Sequence, residues 1–262
     1  MIVIYHNVNF CQWVVHKMDQ WRDQGIIINV KPHGEHGGVV SLLTAEHGRH
    51  AGFAHGVQSS KNRSQYEVGT IVDADWHSKQ TDSLGTYKLN PEKSYAVYAL
   101  DDPRKLLALQ SMSALLHLTL PEREDAAGIY DASLAFLESL KTEIWAPTYI
   151  YWEIGLLQAL GFGIDVSECA ATGTQEDLVY ISPKTARAVS RDAGEPYKDR
   201  LLPLPQFLKG GGDFDDKAIA DGLQLSGYFL QQRVFGMTSN LNLPDVRHRL
   251  YASFSLETSD QT

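Results

Sequence analysis

An α+β architecture, a five-stranded closed barrel followed by a mainly α-helical body, is the fold this sequence predicts. Three observations predict it: short β-branched runs broken by turn residues before Asn90, a change of apolar period from two to 3.6 after residue 100, and an irregular segment, Asp165–Arg200, set among the helices. The expected divisions are an N-terminal extension (1–18), the barrel (19–97), a helical body (98–255) containing the insertion (165–200), and a polar, disordered tail (256–262).

Ile26–Val30 and Val39–Leu43 are rich in β-branched residues and are separated by Pro32, Gly34, Gly37 and Gly38. Arg49–Ala54 follows a Glu46-His-Gly48 turn, and Thr70–Trp76 and Gly85–Leu89 complete about the five strands that a small closed barrel needs. Gln20–Gly25 reads as a charged turn, and a polar, basic loop, Val57–Arg63, follows the meander. Residues 1–18 read as a non-native start ahead of Met18 or as disorder, with an extra strand at Ile2–Tyr5 as the alternative. Asn7, Asn9, Gln12 and His16 break their apolar character, so they make a poor signal peptide.

Asp102 can cap a helix with Pro103 at its first position, and Leu106, Leu109, Met112 and Leu116 recur on one face up to Leu120-Pro121. A second helix is expected at about Ala127–Lys141. A third has Pro147 in its first turn and stops at Gly161-Phe-Gly163; apolar nearly all round, it is placed at the centre of the body. Lys209–Asp216 is a flexible acidic linker. Helices at about Lys217–Phe235 and after Pro244 close the chain.

The net charge of −9 is unevenly spread: residues 1–97 hold 9 Lys and Arg against 9 Asp and Glu, so all the excess acid lies in the second part. Eight of the ten histidines fall in the neutral first part, which gains positive charge as the pH drops towards ~6.5. Two cysteines, Cys11 and Cys169, cannot make a disulfide framework, as suits a reducing compartment. No run approaches the ~20 apolar residues that span a bilayer.

Two patterns invite an enzymatic reading. His33-x-x-His36 and His47-x-x-His50 have metal-like spacing, but they sit in turns and at strand ends, where residues three apart diverge. Asp73 and Asp75 share one face of a strand, as a metal-dependent nucleic-acid hydrolase would need and as a solvated outer face also gives. The binding signal is better grounded. Lys31, Arg49, Lys61 and Arg63 outnumber Glu35 and Glu46 across Gly25–Arg63, a balance that can neutralise phosphates with His33 beside them. Phe53, Trp76 and Tyr87 are either base-stacking platforms or core.

Lys31-Pro-His-Gly-Glu35, Val39-Val-Ser-Leu-Leu-Thr44, Glu46-His-Gly48 and Gly56 with its basic loop resemble the opening domain of the bacterial RecO family of DNA repair and recombination mediators. The likeness continues through Leu120-Pro-Glu-Arg123, Trp145–Gly163, Asp165–Gly173 and Ser182–Ser190, and covers roughly residues 20–250. It implies that the barrel is an oligonucleotide-binding (OB) fold and that the protein is not an enzyme and needs no cofactor. The implied function is binding single- and double-stranded DNA, annealing complementary strands and, with RecR, loading RecA. The implied place is the cytoplasm, at the nucleoid.

In many relatives the insertion is a zinc knuckle of four cysteines. The corresponding positions are Cys169, Thr172, Ser190 and Ala193, and one thiolate cannot hold structural zinc, so a degenerate, metal-free knuckle held by Leu178, Val179, Tyr180, Ile181 and Val189 is expected. The family also docks the acidic, Phe-ended tail of single-stranded-DNA-binding protein. Such a tail needs an apolar pocket rimmed by cations, for which Arg104, Lys105 and Arg123 are the residues proposed. A scaffold whose barrel docks a protein and no DNA is the remaining alternative.

Overall fold

In the computed structural model, which describes residues 19–59, 62–80, 83–236 and 241–255, five strands close a barrel in the order β1-β2-β3-β5-β4. They are β1 (Asp19–His33), β2 (Gly37–Thr44), β3 (Gly48–Ala54), β4 (Thr70–Ser78) and β5 (Thr86–Ser94). Neighbours are antiparallel except β3 and β5, which meet in parallel at Phe53 and Thr86. This is an OB-fold. The expected turn at Gln20–Gly25 is instead strand: β1 pairs Asp19 with Ser78 and continues to Ile26 opposite Ile71. The signal was alternation, since Trp21 and Asp23 are half-buried between exposed Gln20, Arg22 and Gln24, and charge alone does not make a turn.

Ile27, Val40, Leu42, Val72, Ala74, Trp76 and Tyr87 fill the barrel, while Ile26, Ile28, Leu43 and Ile71 face outwards into the core of the helical body. A bulge between Ile27 and Asn29 sets this division, because one extra residue puts both Ile28 and Asn29 on the outer side before alternation resumes at Val30. The barrel's outer side and the helices therefore share a hydrophobic core distinct from the one inside the barrel.

Helix α1 (Pro103–Thr119) starts as expected: the Asp102 carboxylate accepts hydrogen bonds from the backbone N–H groups of Arg104 and Lys105. Helices α2 (Ala127–Ser139) and α3 (Trp145–Ala159) follow. The segment expected to be irregular carries two strands, β6 (Leu178–Ile181) and β7 (Ala188–Ser190), of a three-stranded sheet in the order β7-β6-β8 that β8 (Leu202–Pro203) completes just beyond it. These strands have two to four residues, too few for a period-two pattern to stand out. A short helix, α4 (Arg191–Gly194), follows β7. Helix α5 (Asp216–Phe229), capped by Asp215, passes into a π-helical turn at Leu230–Phe235, and α6 (Asp245–Ser255) packs on α1 and α5. The expectations for residues 1–18 and 256–262 lie outside the described residues.

The central helix α3 carries one charge that its apolar pattern hides. Glu153 is fully buried and takes Arg247 Nε at 2.5 Å and Nη2 at 2.9 Å, with Ser226 Oγ donating to its second oxygen. The Tyr149 hydroxyl donates to Glu153 and also bonds Ser111 Oγ, and Arg247 Nη2 reaches the Leu223 carbonyl at 2.7 Å. One network thus ties α1, α3, α5 and α6 together.

At the β2–β3 turn, Gly48 has φ +61, and a Cβ there would lie 1.7 Å from the Glu124 carbonyl oxygen. Both the left-handed backbone and the contact demand glycine. Gly48→Ala is expected to cost at least about 2 kcal/mol, seen as a lower midpoint in urea unfolding.

Candidate nucleic-acid interface

The outer side of β1–β3 is divided in two. At one end Ile26, Leu43 and the buried Ser41 face the helical body. At the other, register aligns Lys31 with Val39 and Val39 with Phe53, while His33 pairs with Gly37. Lys31, His33, His36 and His55 are exposed there, and Phe53 and Val39 are half-buried. Phe53 is flanked edge-on by His33 at 6.0 Å and His55 at 4.7 Å, and its ring lies over Gly37, where a Cβ would stand 2.4 Å from it. A cation, an aromatic ring and imidazoles thus share an open strand surface, a combination that can hold phosphates and stack bases.

Of the eight barrel residues singled out from the sequence, Lys31, His33 and Phe53 come together. Arg63 opens a short 3-10 turn, Arg63–Gln65, in the connection that leaves this end of the barrel, and Lys61 lies outside the described residues. The other three are corrected. Trp76 is 1% exposed inside the barrel and its Nε1 donates to the Leu84 carbonyl. Tyr87 is 3% exposed, and its hydroxyl bonds His50 Nδ1 at 2.9 Å and donates to the His50 carbonyl. Neither ring can stack on a base, because cross-strand register at Trp76 and Tyr87 turns both inwards. Arg49 is on the outer side, but its Nε donates to the Leu120 carbonyl and its Nη1 pairs with Glu122, so it clamps the barrel to the segment after α1.

Of the three cations proposed for the tail, both arginines are engaged. Arg104 pairs with Asp216, donates to the Ser253 carbonyl and lies over Phe254. Arg123 donates to the Ser83 carbonyl and stands over Trp76, and Lys105 is half-buried in the first turn of α1.

Sequence reading missed an aromatic plug at the opposite barrel mouth. Trp21 stacks on His47 at 4.3 Å and on Trp76 at 5.7 Å, and His47 Nδ1 lies 3.0 Å from the Asp23 carboxylate. Burial, with the charges of Arg123 and His47 adding to it, pushes His50 down from 6.5 to about 4. The unfolded chain therefore takes up this proton first, and the stabilising contribution of neutral His50 is present above about 6.5 and lost as the pH falls towards 4. The melting temperature is expected to drop across that window, and His50→Gln should flatten part of the slope.

Of the histidine pairs, His33 ends β1 and His36 lies in the turn after it, both exposed, whereas His47 and His50 are held by Asp23 and Tyr87. Asp75 pairs with Arg22 on the outer face of the barrel. Among the described residues no group of three or more His, Cys, Asp or Glu could hold a metal ion. In the insertion, Ser190 donates to Cys169 Sγ from its backbone N–H at 3.3 Å and its hydroxyl at 3.4 Å. Burial pushes the thiol up, but these bonds and others from Thr172 and the Ala171 backbone outweigh it and bring Cys169 down to about 6. One thiol, two hydroxyls and the methyl of Ala193 are not a donor set for tetrahedral zinc.

No helix among the described residues is long and apolar enough to cross a membrane. Two family descriptions match the chain: Recombination protein O N terminal over residues 18–94 and Recombination protein O C terminal over residues 100–240. The chain is 45% identical to the DNA repair protein RecO of Rhodospirillum centenum over 232 residues, 88% of this chain and 92% of the relative. It is 42% identical to the DNA repair protein RecO of Rhodospirillum rubrum, over 88% of this chain and 95% of the relative. The RecO of Methylorubrum extorquens is 40% identical over 89% and 97%. Matched across barrel and helical body alike, the chain belongs to the RecO family.

Proposed function

We propose that this chain is a recombination mediator in DNA repair, acting in the cytoplasm at the nucleoid. It binds single- and double-stranded DNA, anneals complementary strands and, with RecR, helps load RecA onto DNA coated by single-stranded-DNA-binding protein. The observation that carries the DNA-binding part is the open end of the β1–β3 face, where Lys31, His33, His55 and the Phe53 ring lie together. Phosphate neutralisation by Lys31 and by the Lys61–Arg63 loop releases counterions, and Phe53 holds a base. Annealing then needs no bond made or broken, only two strands brought together on one surface.

The acidic tail of the coating protein fits a groove between α5, the π-helical turn and α6. This groove, about 290 Å³, is lined by Leu223, Gly227, Tyr228, Leu243, Arg247 and Tyr251. Arg247, 2% exposed, is committed to Glu153, Leu223 and Ser226, so what the groove offers the tail's phenylalanine is its apolar walls. The insertion works as a metal-free knuckle in which hydrogen bonds to Cys169 stand where a metal would.

The test is annealing of two labelled complementary oligonucleotides, bare and coated, with EDTA present and strand length checked on a gel. Faster annealing with intact strands is expected. Shortened strands that appear only when magnesium or zinc is supplied would make the protein a hydrolase, and neither binding nor annealing would make it a protein-docking scaffold.

A further inference from the structure

The bulge that puts Ile28 and Asn29 side by side on the outer side of β1 also builds a groove. Of about 290 Å³, it is bounded by Ile28, Asn29 and Val68 on one side and by His117 and Leu118 of α1 on the other. Its walls are mostly apolar, and Leu118 stands at the rim, 50% exposed. His117 Nε2 lies 3.4 Å from the Asn29 side-chain nitrogen, a long contact, while Nδ1, on the inner side of the ring, is buried with no hydrogen-bond partner. Burial first and the charge of Arg49 second hold His117 below the ordinary histidine range, so the ring is neutral and offers one N–H and one lone pair.

The Asn29 carboxamide and a neutral imidazole, joined only by one long contact between mostly apolar walls, suit a flat, uncharged group that carries both donors and acceptors. The groove also lies beside the open face. Asn29 is two residues from Lys31 on the same side of β1, and the pairs Asn29–Ser41 and Lys31–Val39 are successive outer rows of the sheet. We propose that this groove receives an unpaired nucleobase from a strand whose phosphates lie along the Lys31–Phe53 row. The inference rests on reading that row as a nucleic-acid surface. A base inside a duplex has its edge paired and its faces stacked, so the groove favours single strands.

The test uses the full chain and fluorescence anisotropy at low salt, comparing a single-stranded oligonucleotide with an abasic strand of equal length and charge. The wild-type protein is expected to prefer the strand with bases by roughly fivefold or more for each base held, one on Phe53 and one in the groove. His117→Ala removes the ring, and Leu118→Ser opens the rim at an exposed position where the fold loses little. Both should cut that preference at least about threefold while leaving abasic-strand binding unchanged. A preference unaltered in Leu118→Ser and in folded His117→Ala, or absent from the wild type, overturns the base groove while the phosphate-binding face stands. Failure of both strands to bind the wild type removes the face and the groove together.

Discussion

Arg247→Ala is expected to destabilise the protein by about 3–5 kcal/mol, because it leaves the Glu153 carboxylate buried without its cation. Against a total stability of ~5–15 kcal/mol, that puts the variant near its folding threshold. The cost comes from desolvation. Arg247 and Glu153 are 2% and 0% exposed, so no water can replace the lost partner. Arg247→Met combined with Glu153→Leu removes both charges and should recover most of the loss, since Tyr149 and Ser111 can still bond each other. Urea unfolding of the two variants beside the wild type checks this. Equal stability of the single and double variants would mean that the network contributes packing alone.

Lys31→Glu combined with Phe53→Ala carries the largest expected effect on binding. The charge reversal replaces a phosphate contact with a repulsion, and the loss of the ring removes a stack worth ~1–3 kcal/mol. Together they should weaken single-strand binding by roughly tenfold to several hundredfold; Lys31→Glu alone, at an exposed position, should keep a near-normal melting temperature. Arg22→Glu is the matched control. It removes another exposed cation, paired with Asp75 on the β1–β4 side, and should leave binding within about twofold of wild type by the logic of a distant, screened charge. Equal losses from Arg22 and Lys31 would mean that net charge, and not this face, governs binding.

The strands and helices were legible where periodicity was long enough to read. β2, β3 and β4 and the start of α1 lie close to where apolar runs, turn glycines and the Asp102-Pro103 cap put them. The small sheet was not legible, because strands as short as β7 and β8 carry no measurable alternation. For the face, composition identified the residue types but not their direction. Lys31 and Trp76 are both plausible binders on chemistry alone, and only register, which turns one outwards and the other into the barrel, separates them. Arg49 and Arg104 show the same limit. A cation near an element's end reads as available until its carboxylate and carbonyl partners, 71 to 149 residues away, are seen. Glu153 and Arg247 are 94 residues apart, so nothing local announces that each needs the other.

The central claim is that the open end of the β1–β3 face binds nucleic acid through phosphate contacts, and a salt series tests it most directly. Anisotropy of a labelled single strand would be measured for the wild type and Lys31→Glu, with EDTA present. The account predicts metal-independent binding whose logarithm falls linearly with the logarithm of salt concentration, with a slope shallower by about one contact in the variant. No binding at low salt, or the same affinity and slope in both proteins, would contradict it.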